Sequence, residues 1–376
     1  MSRIKPMQLS NLVWQVNAHN PSPYTLMGTN TYIVGTGKNR LLIDTGDGQQ
    51  PAYFEDLRSV LHEKMDDARI NTILLTHWHS DHIGGVEKIV SDPLIASETL
   101  IRDATNRSLI SESLHSDSGV FANTANNTFY SKIDSLINLR PIPTLNAELL
   151  ALSKGENVRG GSDFRSKVSS LLQSSPRNLT FSVPGDSESA SSSCTVSALP
   201  TPGHTDDHIS FYLHEENAVF TGDCILGSNS STVFTNLIYH MNSLQILELI
   251  EPTIIYPGHG DIIRDSPKQT IRNNIDHRLN REKKIYDAIS SHAPPASPSN
   301  LSAENPHLGS QYLGIEFLDL FAKSYGEVLA DDLIRGAKFN LNNHLDKLVH
   351  ENKVSRFISS APDGSELIYY KVPSIQ

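Results

Sequence analysis

The sequence predicts an α/β fold followed by a smaller helical domain that ends in a hairpin, and three observations carry that expectation. Short apolar stretches of strand length recur through the first two thirds of the chain, with helical patterns between them. Four of these stretches run into His or Asp at their C-terminal ends: Ile73–Leu75, Thr195–Leu199, Ala218–Thr221 and Ile254–Ile255. Open α/β sheets place their ligands at that edge. Finally, Ala293-Pro294-Pro295-Ala296-Ser297-Pro298 reads as a linker and divides the chain into domains spanning 1–292 and 299–376.

Composition bounds the rest. At 376 residues the chain can bury a large core. Its net charge is −11, which argues against a general nucleic-acid coat but leaves room for a local basic groove. Cys194 and Cys224 are the only cysteines, so a reducing compartment is expected and a disulfide framework is not. No apolar run reaches membrane-spanning length, and no secretory apolar segment opens the chain; the expectation is a protein that is neither membrane-bound nor secreted. The first acidic residue is Asp44, a trait shared with transit peptides, although this acid-poor stretch already reads as folded sequence.

Taken in order, Asn11–Val16, Thr31–Val34 and Arg40–Ile43 alternate as strands, with Gly35, Gly37 and Asn39 supplying the turn between the last two. Asp44 follows a strand end, where it either orients a ligand histidine or caps a turn. Pro51 opens a helix with Phe54, Leu57 and Leu61 on one face, and Val86–Val90 begins another. Residues 97–178 change character: they are rich in Ser and Asn and read as a partly mobile insertion peripheral to the metal site, with room for a turn of helix at Ser108–Phe121 and another at Lys167–Leu172. Order returns with strands at Thr195–Leu199, Ile209–Leu213 and Ala218–Thr221. Thr270–Ile289 reads as a helix with Asn273, Arg278, Arg281 and Lys284 toward solvent. In the tail, Ile315, Leu318 and Phe321 suit one helix, Val328–Ile334 a second, and Leu341, Leu345 and Leu348 a third. A hairpin turns at Asp363-Gly364. Three helices and a hairpin make a winged-helix-like module, which either packs on its neighbour or holds nucleic acid.

The chemistry concentrates in Thr76-His77-Trp78-His79-Ser80-Asp81-His82. A His-x-His pair in extended backbone points both rings to one side. Three His and one Asp exceed what one tetrahedral zinc with an open position takes. Two metals are the economical reading, with His77 and His79 on one and Asp81 and His82 on the other; a His-rich surface loop is the bland alternative. Pro202-Gly203-His204, Gly222-Asp223 and Pro257-Gly258-His259-Gly260 present further potential ligands at strand ends. Cys224 reads as a small buried residue and His208 as a structural histidine, while His19, His62, His115 and His292 stand in no pattern.

Together these motifs resemble the metallo-β-lactamase superfamily, which implies an αββα sandwich and a dinuclear zinc site. Carried over position by position, the resemblance implies His77, His79 and His204 on the first zinc, Asp81, His82 and His259 on the second, and Asp223 bridging. It implies a hydrolase using a metal-bridged hydroxide, with Asp81 also orienting that hydroxide and shuttling its proton. Such a site attacks phosphodiesters, thioesters or lactams, so the metals fix hydrolysis without choosing the bond.

Further motifs run through Gly28-Thr29-Asn30-Thr31-Tyr32, Leu42-Ile43-Asp44-Thr45-Gly46, Gly222 to Gly227, Thr232-Val233-Phe234 and Met241-Asn242-Ser243-Leu244. With the tail, they resemble the animal mitochondrial endoribonuclease branch. That branch implies single-stranded RNA as substrate and a mitochondrial matrix location, otherwise a cytoplasmic one, with the oligomeric state open. Lys338, Lys347, Lys353 and Arg356 are then candidate phosphate contacts. The competing expectations are a thioesterase, either glyoxalase II-like or serving an acyl carrier protein as fungal polyketide thioesterases do, and a metal-binding scaffold that uses the tail.

Overall fold

The alternating segments form strands, and their side chains build a two-sheet core. A computed structural model of the chain describes residues 3–98, 119–121, 180–183, 194–228, 230–292, 314–326, 331–360 and 366–373. The rest of the expected insertion, including Lys167–Leu172, and the 293–298 linker lie outside the described residues. The chain forms two compact units, Met1–Thr232 with Tyr239–Asn274, and Val233–Ile238 with Ile275–Gln376.

In the first unit, β1 (Met7–Gln8), β2 (Val13–Asn17), β3 (Asn30–Val34) and β4 (Asn39–Ile43) form an antiparallel meander. Helix α1 (Pro51–Ser59) continues into a π-helical turn at Val60–Lys64, and Phe54, Leu57 and Leu61 are buried as their spacing requires. Strand β5 (Arg69–Leu74) then pairs parallel to β4. Two short helices, α2 (Ser80–Ile83) and α3 (Val86–Val90), follow it. Next comes β6 (Gly119–Phe121), parallel to β5. Apart from these three residues, the expected turn of helix at Ser108–Phe121 lies outside the described residues; Gly119–Phe121 extends the first sheet along the edge of β5.

The second sheet has the order β11-β10-β9-β8-β7, built from β7 (Thr180–Val183), β8 (Cys194–Pro200), β9 (Ile209–Leu213), β10 (Ala218–Gly222) and β11 (Ile254–Pro257). Only β10 and β11 run parallel. The two sheets face each other through aromatic rings. Tyr32 of β3 lies 5.1 Å from Phe220 and 5.5 Å from Tyr256, and its hydroxyl donates to Pro257 O at 2.7 Å. That bond satisfies the phenol inside an otherwise apolar layer.

Between β10 and β11 lies α4 (Leu237–Ile250), a helix the sequence pattern does not announce. Met241, Leu244, Leu247 and Ile250 are buried, but so are His240 and Ser243, and polar residues inside the apolar stripe blur its period. Ser243 Oγ donates to Pro202 O at 2.7 Å, which explains its burial.

Helix α5 (Pro267–Ser290) crosses the boundary between the units at Asn274, not at the Pro-rich linker. The physical reason is that Ile285 and Ile289 belong to the second core, with Ile315, Leu320, Leu341, Leu345, Leu348, Val354 and Tyr370. Arg278, expected toward solvent, is buried with its guanidinium carbon 5.4 Å above the Phe234 ring.

The second unit continues with β12 (Ile315–Glu316), α6 (Phe317–Tyr325), α7 (Asp331–His350), β13 (Ser355–Ser360) and β14 (Glu366–Lys371), in the antiparallel order β12-β14-β13. Ile315 is therefore a strand residue opposite Tyr370, and the Glu316 side chain caps α6 by accepting from the Leu318 and Asp319 amides. The two expected helices after Val328 are continuous from Asp331 to His350. Gly336 does not break α7, and a Cβ there would meet nothing within 4 Å. Three of the four expected phosphate contacts are already committed: Lys347 pairs with Glu282 and Glu351 at 2.7 Å each, Lys353 with Glu351 at 2.7 Å, and Arg356 with Asp346 at 3.1 Å. Among the described residues, no helix is long and apolar enough to cross a membrane.

Candidate metal centre

The backbone after β5 explains how one short segment supplies two groups of ligands. His79 is extended (φ −60°, ψ 141°), so His77 and His79 project to one side. The chain then enters α2, whose first turn swings Asp81 and His82 toward a second position. His204 arrives on the turn after β8, Asp223 just beyond β10 and His259 just beyond β11.

The donor atoms converge as two sets. His79 Nδ1 stands 2.9 Å from His77 Nε2 and 3.0 Å from His204 Nε2. His82 Nε2 stands 3.2 Å from His259 Nε2, and Asp81 Oδ2 lies 3.3 and 3.2 Å from those two nitrogens. Asp223 reaches both sets: Oδ2 is 3.6 Å from His204 Nε2, while Oδ1 is 3.4 and 3.3 Å from His82 and His259. Each set, His77, His79, His204 and Asp223 or Asp81, His82 and His259, fits within 4.8 Å. All seven residues singled out in the sequence are thus brought together.

The donor chemistry fits cations. Each pair of imidazole nitrogens can share at most one proton, yet three converge in the first set. Asp223 Oδ1 is buried and accepts no hydrogen bond, although two imidazole nitrogens stand beside it. That is the arrangement of co-ligands. The opposite ring nitrogens are oriented as metal-bound histidines require. His82 Nδ1 meets Asp44 Oδ2 at 2.8 Å, His77 Nδ1 meets Thr76 Oγ1 at 3.0 Å, and His204 Nδ1 meets Thr232 Oγ1 at 3.3 Å. Asp44 thereby takes the orienting role, and it also accepts from the Thr76 amide at 2.8 Å.

The electrostatics divide along the same line. Burial holds His77 well below the usual histidine range and His79 at about 4, so these two rings are neutral. Burial also opposes charge on His82 and His259, but the carboxylates win. Asp223, Asp44 and Asp81 raise His82, and Asp223 with Asp81 raises His259 to about 9. Burial likewise works against ionised Asp81 and Asp223, and the neighbouring imidazoles outweigh it, lowering both. Positive charge is wanted at the second set.

Two supporting residues complete the site. His208 is structural, as expected: Nδ1 meets Thr201 Oγ1 at 2.9 Å and Nε2 accepts from the Asp223 amide at 3.1 Å, fixing the carboxylate's backbone. Asp207 went unnoticed in the sequence, where one acid beside another in a loop carries no signal. Its buried carboxylate accepts from Thr205 Oγ1 at 2.5 Å and from the Trp78 amide, tying the His204 turn to the His77–His79 segment; burial pushes it up to about 7. Cys224 is buried, consistent with a packing role.

Comparison with known proteins agrees with this geometry. A family model described as the metallo-beta-lactamase superfamily matches residues 24–95. A beta-lactamase-like protein 2 homolog of Drosophila melanogaster is 31% identical over 362 residues, 96% of this chain and 95% of its own. An atrochrysone carboxyl ACP thioesterase of Aspergillus chevalieri is 32% identical over 292 residues, 77% of this chain and 70% of its own. Among solved structures, a beta-lactamase domain protein from Burkholderia ambifaria shares the fold at a TM-score of 0.57 and 14% identity, covering 98% of this chain and 93% of its own.

Proposed function

This chain belongs to the metallo-β-lactamase superfamily, and from that premise we propose that it is a dinuclear zinc hydrolase that cleaves single-stranded RNA endonucleolytically. The observation that carries the dinuclear reading is Asp223, whose two oxygens address separate ligand sets. His77, His79 and His204 would hold one ion, Asp81, His82 and His259 the other, with Asp223 between them. Two bound zinc ions would acidify a water and stabilise negative charge on the attacked centre and leaving oxygen.

The chain's own groups supply orientation. Asp81 Oδ2 accepts from Thr29 Oγ1 at 3.2 Å, so its carboxylate is held in place while remaining the most exposed acid of the site. It is the group placed to orient the nucleophile. Asp44, Thr76 and Thr232 keep the rings in their ligating tautomers, and His208 fixes the backbone of Asp223. The motifs that resemble the animal mitochondrial endoribonuclease branch, across both units, support RNA over other esters, and a mitochondrial matrix location is proposed with that reading.

One observation favours a second reading. An acyl-carrier-protein thioesterase aligns over most of the chain, and a thioester would use the same centre. Elemental analysis with assays on unstructured RNA, duplex RNA, DNA and an acyl-pantetheine thioester separates the two. The expected result is two zinc ions per chain, cleavage of unstructured RNA alone, and loss of that cleavage in Asp81→Ala and His82→Ala. Intact RNA beside rapid thioester turnover would replace the ribonuclease reading with the thioesterase one.

A further inference from the structure

We propose that Trp78 is a stacking platform for an unpaired base next to the scissile phosphate, and that base stacking, not charge, supplies most of the affinity for a single strand. This rests on the ribonuclease reading and names how that substrate is held.

Trp78 lies between two ligand histidines, yet it is 41% exposed. Backbone alternation turns it away from the donor atoms, and its ring stands 4.4 Å from His79 at 70°, on the rim of the first ligand set. Trp is highly buried on average, so a ring this open at the rim of the centre is unusual. The buried Asp207 carboxylate pins its amide. At the second ligand set, Met27 is 52% exposed, immediately before Gly28, whose carbonyl faces His259 Nδ1 at 3.5 Å. Its loop is braced by Asn20, which exchanges hydrogen bonds with the Thr29 hydroxyl and amide at 3.0 and 2.8 Å. Apolar surface therefore borders both halves of the centre, on backbone that is held in place.

Charge is poorly suited to the task. The chain carries −11, and Lys347, Lys353 and Arg356 are paired with acids. Three of the four basic side chains expected to meet phosphate in the tail are thus taken up by acids, so phosphate contacts from them add little affinity. Stacking on an aromatic ring tolerates any sequence and contributes without charge. It also explains discrimination against a duplex, whose bases are already stacked inside.

The test uses full-length, zinc-loaded protein and a phosphorothioate oligouridylate that resists cleavage, followed by anisotropy and tryptophan fluorescence. Binding should quench fluorescence, persist in Trp14→Phe, and weaken only shallowly with salt. Trp78→Ala should bind about 5- to 150-fold more weakly with its zinc content unchanged, and Trp78→Tyr should recover most of the affinity. Unaltered binding by Trp78→Ala, a steep salt dependence, or no binding by the wild-type protein would overturn the proposal. If the wild-type enzyme turns over only a thioester, the ribonuclease reading falls and the platform with it; if it cleaves RNA while Trp78→Ala binds oligouridylate as tightly as wild type, the platform alone falls.

Discussion

At the residue scale, Asp44 shows how a candidate ligand is oriented by a residue outside both donor sets. It sits at φ +59°, a conformation Asp and Asn adopt far more readily than other non-glycine residues, at the end of β4. From there its carboxylate serves Thr76 and His82 together. Asp44→Asn keeps the left-handed backbone and an acceptor but removes the charge that makes His82 a better donor. Zinc affinity should fall about 10- to 100-fold with the fold intact, measured by competition with a chromogenic chelator and checked by circular dichroism. Unchanged affinity would reduce Asp44 to a turn cap.

At the scale of elements, strand ends deliver the ligands and close packing fixes their positions. Gly203, between β8 and His204, has φ +134°, and a Cβ there would lie 2.4 Å from the His240 amide nitrogen of α4. Only glycine lets the ligand turn come so near that helix. Gly203→Ala should destabilise the protein by about 1–3 kcal/mol and displace His204. The measurement is a melting temperature lower by several degrees together with reduced zinc stoichiometry. Unaltered values for both would show that α4 can retreat.

At the scale of the whole molecule, the second unit carries an acid-sensitive group of its own. His344 is 2% exposed; burial, then Arg278, Arg281, Lys347 and His277, lower it from 6.5 to about 3. Between those values the unfolded chain binds a proton that the folded unit refuses. Stability is thus complete above about pH 6.5 and declines as pH falls toward 3, by at most about 1.4 kcal/mol per unit. Thermal unfolding followed from pH 7 to pH 5 should show this slope, and His344→Gln should flatten it. An identical slope in the variant would place the acid lability elsewhere.

The sequence by itself determined most of the strands and all seven ligand candidates, because period-two apolar runs and His or Asp at strand ends are local patterns. His77, His79, Asp81 and His82 were legible as two sets from backbone geometry alone, since an extended pair followed by a helical turn must point two ways. Only tertiary structure decided the rest. That Asp223 addresses both sets, that Asp44 rather than solvent meets His82, and that Asp207 joins two ligand turns all depend on strands distant in sequence becoming neighbours. Helix α4 escaped because it is buried beyond a single stripe, and Gly119–Phe121 because an edge strand takes its identity from the neighbour it pairs with. The extent of α7 turned on an exposed Gly336, and the pairing of Lys347 with Glu282 on two helices meeting. Local periodicity records which face of a segment is buried; which charges meet across that face is written only when the chain has closed on itself.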